Sequence, residues 1–212
     1  MKLVLSGFAG VGKSRILDVV KENYKDVFIF PESAREVNYT KDFFIIKNDI
    51  DGEFFQKSVM DNEIMKVIIS HINKVDKAIF DRSIIDNLAF ASLFYGNDRV
   101  QYEKFNNFVA ETCDKYETET LYDSILFIHS TDNEDFIKHN ILNDDFRKET
   151  TSHDVKDFIK KSKIWEDVYF EIFDKNEKIA KNIVSIDHFI DDYKYNFRVN
   201  SVLDYYFKNK QQ

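Results

Sequence analysis

The sequence predicts an α/β fold around a parallel β-sheet, on two observations. Short apolar runs alternate with longer amphipathic stretches along the chain, the pattern left by strands joined through crossover helices. Three of the five glycines, Gly7, Gly10 and Gly12, lie within six residues of one another, directly behind the first apolar run. A chain so sparing with glycine has concentrated it on one turn. In open parallel sheets that turn, outside the carboxyl end of a strand, is where ligands bind.

The elements follow in order. Lys2 to Ser6 reads as the first strand, and a helix runs from about Lys13 to Asn23 with Ile16, Leu17 and Val20 on one face. Val27-Phe28-Ile29-Phe30 is a second buried strand, stopped by Pro31, which cannot donate to a sheet ladder. Residues 38–52, aromatic and mixed in charge, are expected to form a loop with one short helix, closed by a turn at Asp51-Gly52. Met60, Ile64, Val67, Ile68, Ile72 and Val75 set a helical period over 53–75. Lys77 to Asp81 is a third strand that ends in a carboxylate. Helices are expected over 84–95 and 99–117, separated by Gly96-Asn97-Asp98, before a fourth strand at Ser124–Ile128. The polar stretch 130–153 reads as an exposed, mobile segment, a candidate lid. A long helix carries Val155, Phe158, Ile159, Trp165, Val168, Tyr169 and Ile172; Asn182 to Ile186 is a fifth strand, and 188–208 a closing helix.

Composition narrows the class. A length of 212 residues without internal repeat or linker predicts a single domain, 1–212, able to bury a substantial core. At 43% hydrophobic and 32% charged, the chain is neither disordered nor membrane-spanning. No apolar run approaches the ~18 residues a bilayer needs, and the N-terminus does not read as an export signal. One cysteine, Cys113, cannot form an internal disulfide, so a reducing cytoplasm is the expected setting. The net charge of −8 disfavours a nucleic-acid partner, which would call for a basic footprint, but leaves room for a small anion held by local charges.

The glycine turn has definite chemistry. Gly7-Phe8-Ala9-Gly10-Val11-Gly12-Lys13-Ser14 matches G-x-x-x-x-G-K-[ST], the phosphate-binding P-loop. Its glycines let successive N–H groups point inward at phosphate oxygens, and the helix beginning near Lys13 adds its positive dipole end. Lys13 would reach the β- and γ-phosphates of ATP, and the Ser14 hydroxyl would bind Mg²⁺. The spacing is not G-x-G-x-x-G, which argues against a hydride-transfer enzyme.

The next residues to weigh stand at the other strand ends. Asp81 sits as a Walker-B-type carboxylate does when it holds Mg²⁺, with an N-cap for the following helix as the alternative. Glu32, just past the second strand, would be base or orienter for an acceptor hydroxyl; whether Glu32 or Asp81 is the base stays open. Arg35 and Arg82 lie close behind these carboxylates and could grip phosphate or a planar polar group, or form ordinary salt bridges. Arg147 and Lys148, in the polar stretch, could close over a triphosphate. The five histidines show no metal-ligand spacing.

Together these pieces resemble the P-loop nucleoside and nucleotide kinase group, and more closely the AAA-ATPase-like family that includes ribosylnicotinamide kinase domains. The resemblance rests on Gly7–Ser14, on Pro31-Glu32-Ser33-Ala34-Arg35, on Asp81-Arg82-Ser83 with Asp86, and on the lid-like Asn143-Asp144-Asp145-Phe146-Arg147. It implies a three-layer P-loop NTPase fold with a five-stranded parallel sheet of order 2-3-1-4-5 and a helical lid. It also implies ATP with Mg²⁺ as donor, and an acceptor bound by Glu32, Arg35, Arg82 and Asp86. The layout is similar to thymidylate kinases too, although their proline-rich signature is absent; Glu32 matches the glutamate that deoxynucleoside kinases use as base. The expectation is therefore a kinase that passes the γ-phosphoryl group of ATP to a nucleoside or nucleoside monophosphate. A P-loop ATPase acting as a switch or nucleic-acid-processing component is the rival. A homodimer is left open.

Overall fold

The computed structural model describes residues 1–37, 49–95, 99–142, 155–187 and 192–208. Five apolar segments become strands: β1 (Lys2–Ser6), β2 (Phe28–Phe30), β3 (Ala78–Asp81), β4 (Ser124–Ile128) and β5 (Ile183–Ile186). All pair in parallel, in the order β2-β3-β1-β4-β5, as the resemblance implied. Leu3, Val4, Leu5 and every residue of β4 are buried, which is why these strands read as unbroken apolar runs: a parallel sheet is covered on both faces. The register sets Leu5 beside Asp81 and Ser6 beside Phe127. The carboxyl ends of β1, β3 and β4 thus meet at one edge.

Helices α1 (Lys13–Asn23), α2 (Ser33–Val37), α3 (Asp49–Ile72), α4 (Ile84–Tyr95), α5 (Arg99–Lys115), α6 (Glu134–Leu142), α7 (Val155–Asp174) and α8 (Asp192–Phe207) complete the described chain. Helix α4 packs on both α3 and α7. Away from that group, α1 and α8 meet through the Tyr24 hydroxyl, which donates to Asp204 at 2.6 Å, and through the Tyr24–Phe207 ring pair. No helix among the described residues is long and apolar enough to cross a membrane.

Two expectations change, and a corner left unassigned takes shape. Gly52 does not close a turn: α3 begins at Asp49 and runs through it, its packing on α2 and α4 outweighing the roughly 1 kcal/mol that a helical glycine costs. The corner after Pro31 is helical, because the Glu32 carbonyl accepts from the N–H groups of Arg35 and Glu36 and starts α2. The polar stretch 130–153 is not uniformly exposed. Within it α6 buries Ile137, and the Asn133 side chain caps the helix by accepting from the Phe136 N–H at 3.0 Å. The lid-like residues 143–147, with Arg147 and also Lys148, lie outside the described residues.

Candidate active site

The turn after β1 needs its glycines at definite places. Gly7 has φ +138°, and a Cβ built there would stand 2.6 Å from the Ile128 carbonyl oxygen at the end of β4. Any side chain would push the turn off the sheet. Gly12 takes the left-handed conformation, φ +93°, and opens α1 with no side-chain cap. Glycine offers no side-chain oxygen to the first N–H groups of α1, which leaves this helix end suited to an anion. Below the loop, Phe8 is held in an aromatic layer: Phe90 of α4 at 5.3 Å between ring centroids, and Phe158 and Trp165 of α7 at 5.0 and 5.6 Å. Ala9 and Val11 are buried with it, and Gly10 has φ +76°.

Lys13 bends back over this turn. Its Nζ donates to the carbonyls of Gly7 and Phe8 at 2.7 and 2.8 Å, and the residue is 8% exposed. Burial chiefly, and then the Arg82 charge, lowers its pKa to about 7, against the opposing pull of Asp81, Glu32 and Asp86. An anion beside the ammonium would favour its charged form.

Across from the loop, Glu32 and Arg82 form the centre of the site. Both are 6% exposed. Arg82 Nε donates to Glu32 Oε1 at 2.6 Å, while Nη1 donates to the Gly7 carbonyl at 3.0 Å. One guanidinium thus ties the carboxylate after β2 to the glycine turn after β1. Its plane is further held over the Phe90 ring, 5.0 Å from the centroid. Arg82 also has φ +78°, a strained conformation for a residue with a Cβ, of the kind that collects at functional sites. Arg35, half-exposed, donates from Nε to the other Glu32 oxygen at 2.9 Å.

Asp86 takes a different part from the one expected. It is 0% exposed. Its Oδ1 accepts from the Ser6 hydroxyl at 2.7 Å and faces Arg82 Nη1 at 3.5 Å. Its Oδ2 accepts from the Ser83 N–H and hydroxyl at 2.9 and 2.8 Å. Ser83 and Asp86 thus form a capping box for α4. With both oxygens engaged and no exposed surface, this carboxylate positions Arg82 and α4.

Asp81 ends β3 with its Oδ1 buried and lacking a hydrogen-bond partner among the described residues. Burial, and next the charge of Glu32, raises its pKa, while Lys13, Arg82 and Arg35 draw it down. Ser14, exposed, opens α1 on the donor side. A hydroxyl and a carboxylate oxygen are the hard donors Mg²⁺ takes, so this pair fits the ion, which would neutralise phosphate charge.

Sequence reasoning found the loop, the two strand-end carboxylates and both arginines, and the structure brings Lys13, Glu32, Arg35, Asp81 and Arg82 together. It missed the interior of α3, where Glu63 (2% exposed) and Lys66 (6% exposed) lie behind the Glu32 corner. A Glu and a Lys three apart on a helix read as a solvated pair, and nothing in the sequence signals otherwise. The Ser83-x-x-Asp86 cap, by contrast, is a legible motif.

The sheet order, the glycine turn after β1 and the lysine at the start of α1 are those of the P-loop fold. Among solved structures, the chain is similar to a deoxyadenosine kinase from M. mycoides with bound dATP. The TM-score is 0.64 at 17% sequence identity, over 95% of this chain and 99% of that one. A second structure, deoxyadenosine kinase from M. mycoides with the products dCMP and a flexible dCDP, gives 0.55 at 16% identity over 97% and 98%. At such identities the likeness is one of fold. No family model matches the chain, and no curated protein sequence matches it.

Proposed function

We propose that the protein is a nucleoside kinase that transfers the γ-phosphoryl group of ATP to a primary hydroxyl of a nucleoside. One observation carries the reading: Arg82 bonds Glu32 and the Gly7 carbonyl at once. The acceptor-side carboxylate is thereby fixed relative to the phosphate turn. A hydroxyl acceptor needs a base, whereas a nucleoside monophosphate already carries charge and needs cations. On the acceptor side the carboxylates of Glu32, Asp81 and Asp86 face the guanidinium groups of Arg82 and Arg35, while Glu63, neutral behind them, lies beside Lys66. That balance favours a neutral nucleoside. The fold neighbours are kinases of a deoxynucleoside by name, which supports the same reading.

In this reading the loop N–H groups and Lys13 hold the triphosphate, and Ser14 with Asp81 would hold Mg²⁺. The acceptor oxygen attacks the γ-phosphorus, the bond to the β–γ bridging oxygen breaks, and ADP leaves. The hydroxyl proton passes to Glu32, while Arg82 faces the charge that develops and Arg35 keeps the carboxylate in place. Arg147 is proposed to close over the transferring group. Incubation with Mg-ATP and separate nucleosides, nucleoside monophosphates, ribosylnicotinamide and oligonucleotides tests the reading, with products identified by mass. A nucleoside monophosphate formed from a nucleoside is the expected result. ADP release without any acceptor, or only with oligonucleotide, would instead support a P-loop ATPase.

A further inference from the structure

Behind the Glu32 corner, α3 contributes an ammonium group enclosed by oxygen. Lys66 Nζ contacts the Pro31 carbonyl, donates to the Ser33 hydroxyl at 2.6 Å, and pairs with the Glu36 carboxylate at 2.8 Å. Glu63 lies on its other side at 3.9 Å. Pro31 and Ser33 are the residues immediately before and after Glu32, and Glu36 is on the same short helix. A five-residue helix following a three-residue strand has little rigidity of its own. Its position depends on α3, and Lys66 makes contact on both sides of the residue proposed as base. Ser33 extends the link by donating to Asn62 of α3 at 2.9 Å.

We infer that Lys66 is the positioning residue of the acceptor site, fixing the Pro31-Glu32-Ser33 corner so that the Glu32 carboxylate meets the acceptor hydroxyl. The inference rests on the nucleoside-kinase reading. Among the described residues the polar contacts of Lys66 are with Pro31, Ser33, Glu36 and Glu63 and none is with the glycine turn, so its effect belongs to the transfer step and the acceptor, not to ATP. Displacements of about 1 Å in a reacting pair can cost a hundredfold in rate.

The experiment compares the parent protein, Lys66→Met and Ser33→Ala in steady-state assays that vary ATP and nucleoside separately. Ser33→Ala removes one contact to the ammonium with little change in volume, and it decides the matter should Lys66→Met fail to fold. The expected result is a fall in kcat of at least tenfold for Lys66→Met and a few-fold for Ser33→Ala. The KM for ATP should stay within twofold. A kcat within twofold of the parent in the folded variants overturns the inference and leaves the kinase reading standing. A parallel loss of kcat and ATP affinity also overturns it, since Lys66 would then support the fold at large. A parent that phosphorylates no nucleoside removes the kinase reading itself, and this inference with it.

Discussion

Lys13 and Glu63 are both buried ionisable groups, and each makes a prediction from its own surroundings. The Lys13 ammonium lies under the glycine turn at a pKa of about 7, lowered first by burial. Removing it takes away a charge that burial disfavours, while also removing the cation proposed to grip phosphate. Lys13→Met is therefore expected to lower phosphoryl transfer by about 10³-fold with a thermal midpoint equal to or above the parent's, read by turnover and scanning calorimetry. Lost activity together with a lower midpoint would count against this assignment of charge. Glu63 is displaced in the opposite sense: burial raises its pKa from 4.5 to about 8, against the pull of Lys66 and the Ser33 hydroxyl, with Asp86 and Asp81 adding to the rise. Between those two values the folded chain holds a proton that the unfolded chain has released, so stability contributed by this group falls as pH rises. Glu63→Gln keeps the shape and removes the titration. Its stability relative to the parent should improve from pH 5 to pH 8 by about 1 kcal/mol or more, measured by urea unfolding at both values. A difference that does not vary with pH would show that Glu63 is ionised in the fold.

At the scale of elements, α4 begins on the Ser83–Asp86 box, and the same carboxylate reaches Ser6 of β1 and faces Arg82. The start of one helix, the end of one strand and the central guanidinium share one buried anion. Asp86→Asn keeps the volume but surrenders the charge and turns one acceptor into a donor facing Ser6 or Ser83. It should destabilise by about 3 kcal/mol in denaturant unfolding and reduce turnover through Arg82; a change under 0.5 kcal/mol would mean that the box alone carries α4. This element was half legible. The Ser-x-x-Asp spacing is a known helix start, but the sequence does not show that Asp86 faces inward, because that depends on the register of β1 against β3 and on Trp165 donating to the Asp86 carbonyl at 3.4 Å. The same limit explains the rest. The five strands were readable because a sheet covered on both faces leaves continuous apolar runs. Helices α2 and α6 were not, because each buries few side chains: Ser33 in α2, Ile137 in α6. Lys66 and Glu63 were invisible for a further reason: a charged pair looks solvated until the packing of α2 on α3 encloses it.

Taken whole, the molecule connects its phosphate turn to its helical layer through aromatic rings, and that connection can be observed directly. Trp165 is the sole tryptophan. It is 0% exposed in α7, 5.6 Å from Phe8 of the turn, 5.2 Å from Phe90 of α4 and 6.1 Å from Phe127 of β4, centroid to centroid. Phe8 in turn offers its carbonyl to Lys13 at 2.8 Å. A triphosphate in the turn competes with that carbonyl for the ammonium, and any shift of the Phe8 backbone passes into closely packed rings, where interiors transmit rather than absorb displacement. Trp165 emission should therefore change on titration with Mg-ATP, saturating at the dissociation constant found by calorimetry. The same occupancy should raise the thermal midpoint, since ligand at a hundred times its dissociation constant adds about 2.7 kcal/mol. That corresponds to a shift of roughly 5–10 °C for a chain of this size. Lys13→Met should abolish both signals together, because both begin at the phosphates. Nucleoside alone should change the emission less than Mg-ATP does, since the Glu32 side reaches the aromatic layer at one remove, through Arg82 over Phe90 and through the Asp86 carbonyl to which Trp165 donates. If calorimetry records ATP binding while Trp165 stays silent, the turn moves independently of α7 and the rings serve stability alone.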